Sequence, residues 1–252
     1  AAAGGRPRFL ALGLILEEGL ERAVLGRVLD SIAAAAGACG VVVATGDTKV
    51  VPRGLCDGLY VHTTGLGEAI EGLELGRERI RPGDALLASG PLGDHGMAVL
   101  AAREGIAGGP ISDPGPVHRL VEALAPFGGG LRFLRDPTRG GAAAVLNEIV
   151  GGSPAGIALE EDRLPFSPGA RAIAELLGLD LLHVASEGRL LAVVAEERAG
   201  EALDAWRRLP EGAGAVRIGR VTAEAGRVIL HTRVGGRRLV DLPQGELLPR
   251  IC

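Results

Sequence analysis

The sequence predicts an α+β protein of two domains. Three observations carry this. Apolar residues recur at helical spacing in some stretches and as short unbroken runs in others. The two kinds of segment alternate, yet several strand-like runs follow one another across a turn, which favours mixed α+β layers over a doubly wound parallel sheet. The composition also breaks at Ile80-Arg81-Pro82-Gly83-Asp84. We therefore read residues 1–80 as a first domain, 81–238 as a second and 239–252 as a terminal tail. No solenoid period is present.

In chain order, Phe9–Leu16 is an apolar run that fits a buried strand or the start of a helix. From Glu21 to Ala38 the spacing of Val24, Leu25, Val28, Leu29, Ile32 and Ala36 predicts a helix, closed by Gly37 and Gly40. Val41–Ala44 reads as a strand, with Thr45–Lys49 a loop at its end. Leu59–Thr63 reads as the next strand and Thr64–Gly67 as a turn. In the second domain, strands are expected at Ala85–Ser89, Leu131–Leu134, Leu181–Ala185, Arg189–Ala195, Ala215–Val221 and Arg227–Thr232. Helices are expected at Met97–Glu104, Val117–Ala125, Gly169–Leu177 and Arg198–Arg208. A further helix carries Val145, Leu146, Ile149 and Val150. Gly235-Gly236 marks a hairpin turn.

Of the 252 residues, 47% are apolar and 2% aromatic, so a sizeable core is built from Leu, Val, Ile and Ala. The net charge of −4 gives no basic field for nucleic acid. No apolar stretch is long enough to span a membrane, and no secretory signal is visible. Cys39, Cys56 and Cys252 fit neither a disulfide framework nor a structural zinc site. A reducing, cytoplasmic setting is the default. Lys49 is the one lysine among 27 basic residues, a point charge where the chain otherwise uses arginine.

Three segments share one design, an apolar strand followed by a glycine-rich turn bearing an aspartate: Thr45–Lys49, Gly90–Gly96 and Arg135–Gly141. Glycine lets backbone approach a ligand, a helix N-terminus favours anions, and aspartate there would hold Mg2+ against phosphate. Taken singly each is ordinary turn chemistry. None is a Walker A loop or a dinucleotide fingerprint. Lys49 reads as a solvated strand-end residue or as a charge for a transferring phosphoryl group. Glu187 reads as a solvated carboxylate or, if buried beside a cleft, as a base. His95 reads as a loop histidine or a site residue. The last 14 residues, Leu239–Cys252, carry Pro243, Gly245 and Pro249 and would reach about 46 Å if extended. The terminal thiol is thus an incidental end or a carrier able to enter a distant cleft.

Gly46-Asp47-Thr48-Lys49-Val50-Val51, Gly93-Asp94-His95-Gly96, Arg135–Gly141, Leu146-Asn147-Glu148-Ile149 and terminal Pro249-Arg250-Ile251-Cys252 together resemble the hydrogenase maturation factor family HypE. The family falls in the superfamily of aminoimidazole ribonucleotide synthetase and selenophosphate synthetase. The resemblance implies the two-domain fold of that superfamily and a homodimer formed through the N-terminal domains. It implies that Cys252 receives a carbamoyl group from the carbamoyltransferase HypF, and that ATP drives its dehydration to thiocyanate. The cyano group then passes to the [NiFe]-hydrogenase iron on the HypC–HypD complex. In this reading Cys252 is the carrier, Lys49 the phosphoryl-stabilising cation and Glu187 the base. Asp47 and Asp136 hold Mg2+, and Gly46, Asp47, Thr48, Asp94, His95, Arg139 and Asn147 bind ATP. Against the family pattern the chain starts near the middle of the N-terminal domain, so a further N-terminal stretch completing the Mg-ATP site is expected. Arg189 stands where the pattern leads us to expect lysine. Two other readings fit the same residues: another ATP-using phosphoryl enzyme of the superfamily, or a partner-binding fragment without ATP activity.

Overall fold

A computed structural model describes residues 1–242. The Cys252 carrier reading, with Pro243, Gly245 and Pro249, lies outside the described residues. Residues 5–70 form one compact unit and residues 71–242 belong to a second.

The first unit is a three-stranded sheet in the order β2-β1-β3. The run expected as strand or helix is the central strand β1 (Gly5–Glu17). Helix α1 (Arg22–Ala38) leads to β2 (Val42–Val51), which pairs parallel to β1, and β3 (Leu59–Ala69) pairs antiparallel on its other side. Thr45–Lys49 is therefore not a loop but strand, paired with Ala11–Ile15. The β-branched Thr45, Thr48, Val50 and Val51 suit a pleated ladder. Gly46 breaks no strand, because it sits where a Cβ would meet the Leu12 carbonyl oxygen at 2.6 Å. The turn expected at Thr64–Gly67 is likewise strand β3, and a Cβ on Gly67 would strike the Arg6 carbonyl. Both glycines serve a close backbone approach rather than a bend.

The second unit is a seven-stranded sheet in the order β10-β9-β6-β8-β4-β7-β5. Its strands are β4 (Ala85–Ala88), β5 (Leu131–Arg135), β6 (Gly156–Glu160), β7 (Leu191–Val194), β8 (Val216–Thr222), β9 (Val228–His231) and β10 (Arg237–Leu239). Every pairing is antiparallel except β6 with β9. Helix α4 (Gly141–Val150) buries Leu146 and Ile149 in one core with Leu86, Val193 and Ile218. Alternation turns Leu87 to the other face, where α6 (Ala199–Arg207) contacts β4 and β8. Trp206 of α6 is fully buried there and its indole N–H donates to the Leu120 carbonyl of α3 (His118–Leu124) at 2.9 Å. Helices α2 (Asp94–Arg103) and α5 (Pro168–Leu177) share a separate core of Met97, Leu100, Ile173, Ala174, Leu181 and Val184.

Residues 71–80 belong to the second unit although they precede the compositional break that begins at Ile80. The Gly76 N–H donates to the Arg132 carbonyl at 2.9 Å, and Ile80 is buried in the α4 core. Leu181–Ala185 is not a strand. Leu181–His183 forms a single 3-10 turn, whose Leu182 N–H is capped by Asp180 Oδ1 at 3.0 Å. Its apolar residues divide between two cores, Leu181 and Val184 toward α2 and α5, Leu182 toward α4. Strand β6, which was not expected, carries Gly156, where a Cβ would strike the Glu224 carbonyl.

Candidate functional site

Three turns of the second unit converge. The first links β4 to α2. Gly93 has φ +80°, a left-handed conformation that glycine adopts without strain, and its N–H donates to Ser186 Oγ at 2.8 Å. This opens α2 at Asp94 and His95. The second turn links β5 to α4 through Asp136, Pro137, Thr138 and Arg139. Gly140 and Gly141 have φ +77° and +61°, and a Cβ on Gly141 would meet the Leu182 and Val184 carbonyl oxygens at 2.6 Å. The third is Ser186-Glu187-Gly188, tied to the others because Ser186 N–H donates to the Pro137 carbonyl and Gly96 N–H to the Ala185 carbonyl, each at 3.0 Å.

Glu187 is half-buried at this junction. Desolvation is the first cause pushing its carboxyl above the ordinary range. His95 opposes that shift, Asp136 and Asp113 add to it, and Arg139 opposes it. Three predicted residues, His95, Asp136 and Arg139, are thus within electrostatic reach of Glu187. His95 Nδ1 is 2.8 Å from Ser112 Oγ. A carboxylate whose proton affinity is raised by burial and by neighbouring carboxylates suits, in its ionised form, proton abstraction close to an anionic reactant.

Asp94 is a buried carboxylate with a different task. It accepts a 2.5 Å hydrogen bond from Ser167 Oγ, and Ser167 Oγ also caps α5 by accepting from Ala170 N–H at 3.1 Å. Burial raises its pKa first of all; the Ser167 bond pulls it down. Asn147 uses its amide on backbone: Nδ2 donates to the Ala143 carbonyl at 2.9 Å and the Val240 carbonyl at 3.0 Å. Its bonds fasten α4 to the segment after β10 and involve none of the other predicted site residues.

Gly46, Asp47, Thr48 and Lys49 lie in the first unit, on exposed β2. Strand alternation turns Asp47 and Lys49 to one face and Thr48 to the other. Asp47 Oδ1 accepts from the Thr48 N–H at 2.8 Å. Sequence reasoning missed Ser112, Asp113, Ser167 and Ser186. Ser112 and Asp113 were signalled only by Ser112-Asp113-Pro114-Gly115, ordinary turn composition whose partners are distant in sequence, while Ser167 before Pro168 carried the N-cap signal of α5.

The AIR synthase related protein family matches through its N-terminal domain at residues 1–69 and its C-terminal domain at 81–231. Carbamoyl dehydratase HypE of Bradyrhizobium diazoefficiens is 47% identical over all of this chain and 74% of its own length. The chain belongs to the HypE family. A HypE crystal structure in complex with ATP superposes with a TM-score of 0.94 at 45% identity, covering 100% of this chain and 77% of that one. A HypE–HypF complex superposes at 0.93 and 40% identity, covering 96% of this chain and 80% of the other. HypE relatives thus share both units, and the expected superfamily fold is the one found. No helix among the described residues is long and apolar enough to cross a membrane.

Proposed function

We propose that this chain uses ATP to dehydrate an S-carbamoyl group on Cys252 to thiocyanate, the source of the cyanide ligand of the [NiFe]-hydrogenase iron. The half-buried Glu187 carboxyl beside His95, Asp136 and Arg139 carries the reading. A HypE relative bound to ATP supports the nucleotide, and one bound to HypF supports a carbamoyltransferase partner. HypC–HypD as acceptor, a homodimer and a cytoplasmic setting belong to the same proposal.

Bound ATP supplies the γ-phosphoryl group that makes the carboxamide oxygen a leaving group, with release of ADP. Glu187, ionised, takes the remaining N–H proton while the C–O bond breaks and the C≡N bond is completed. The balance closes: the oxygen leaves in phosphate, the first N–H proton goes to solvent as the oxygen is phosphorylated, and the second goes to Glu187. Arg139 offsets charge on the transferring phosphoryl group. Among the described residues no group of three or more His, Cys, Asp or Glu gathers as a metal site. Mg2+ needs only one or two carboxylates when phosphate oxygens complete its shell. Asp136 fits that mode, and the ion would shield phosphate charge.

Mass spectrometry of the protein incubated with HypF, carbamoyl phosphate and ATP tests the proposal. The expected result is a carbamoyl adduct on Cys252 that becomes a cyano adduct, lighter by one water, only with ATP. A Cys252 that gains neither adduct would overturn it.

A further inference from the structure

The segment joining α2 to α3 has little regular structure, yet it is held at successive residues. Near its start, the backbone of Pro110 lies against α5, where a Cβ on Gly169 would meet Pro110 N at 3.0 Å. Ser112 Oγ then bonds His95 Nδ1 at 2.8 Å. The next residue, Asp113, accepts the Glu187 N–H on Oδ1 at 3.0 Å. Its Oδ2 sits 3.4 Å from Arg189 Nε, its side chain is 2% exposed, and neither of those two atoms has a hydrogen-bond partner. Its carbonyl oxygen occupies the space a Cβ on Gly188 would need.

A buried carboxylate in an imperfect ion pair is costly to keep for stability alone. An aspartate serving only the turn would bond its own segment; this one reaches a backbone N–H far along the chain. We propose that Asp113 is a positioning residue for Glu187. It fixes the Glu187 backbone and holds Arg189 beside it. Through the neighbouring Ser112–His95 bond, one strap sets base and imidazole relative to each other. Gly188 is required because the strap passes against it. The inference rests on Glu187 acting as the base.

The test compares Asp113→Ala, Asp113→Asn and Glu187→Gln in the full chain with Cys252 carbamoylated beforehand. It reads the rate of thiocyanate formation at saturating ATP, the ATP concentration giving half the maximal rate, and the thermal midpoint. Asn keeps an oxygen acceptor for the Glu187 N–H; Ala does not. Asp113→Ala is expected to slow the reaction about a hundredfold, the scale of small misplacements of a reacting group. Asp113→Asn is expected to recover most of that loss, with half-saturation by ATP little changed in both. If Glu187→Gln is inactive but Asp113→Ala runs at the wild-type rate, positioning is overturned and the base assignment stands. If Ala and Asn are slowed alike, in step with a lowered thermal midpoint, Asp113 is structural only and the proposal falls. If Glu187→Gln keeps full rate, the base assignment itself fails and positioning with it.

Discussion

Glu187 shows how a single side chain is set by its surroundings. Burial raises its carboxyl, and Asp136 and Asp113 raise it further against His95 and Arg139. A base works only when ionised, so thiocyanate formation should rise with pH through a value above the ordinary carboxylate range. A pH–rate profile checks this, and an acid limb at the usual carboxylate position would contradict it. Glu187→Gln should lower the rate by about a hundredfold or more, within the usual worth of a positioned base. The same shifts have a stability sign. Glu187, Asp94 and Asp84 all have raised pKa values in the fold, each chiefly through desolvation. The folded state therefore holds protons that the unfolded chain has lost. Their contribution is fully present below the unfolded pKa values and is lost as pH rises through the folded ones. Denaturant midpoints measured from acid upward should show that decline, and Asp94→Asn should flatten part of it.

At the scale of elements, two helices open on left-handed glycines, α2 after Gly93 and α4 after Gly140. Gly141 is the more demanding position, since two backbone carbonyls crowd its missing Cβ. Gly141→Ala should cost more than about 2 kcal/mol, combining left-handed strain with a clash that backbone cannot yield to. The denaturation midpoint reads this out. Leu146, fully buried in α4, gives a comparison without backbone strain, and Leu146→Ala should cost about 2–5 kcal/mol. The helical stretches were legible because their apolar spacing is local, as α1, α5 and α6 show. Thr45–Lys49 was not. Glycine and aspartate suggested a turn, whereas pairing with β1 made the segment strand. Leu181–Ala185 failed in the opposite direction: an apolar run looked like strand, but its side chains are shared between two cores.

At the scale of the molecule, the chain has two compact units and one tryptophan. Trp206 is fully buried in the second unit and bonded to Leu120. Its emission therefore reports unfolding of that unit alone, and a variant truncated before Pro249 should leave it unchanged while abolishing thiocyanate formation. Loss of the Trp206 signal on truncation would mean the tail is needed for folding. The α+β class, the helices and the HypE resemblance were all determined by the sequence, because periodicity and contiguous motifs are properties of neighbouring residues. That Glu187, His95, Asp136 and Arg139 share one field was decided only by the tertiary structure. So was the hold of Asp113 on Glu187. The physical reason is separation along the chain: burial and charge act through space, and residues 95, 113, 136 and 187 meet only after β4, β5 and β7 are laid side by side.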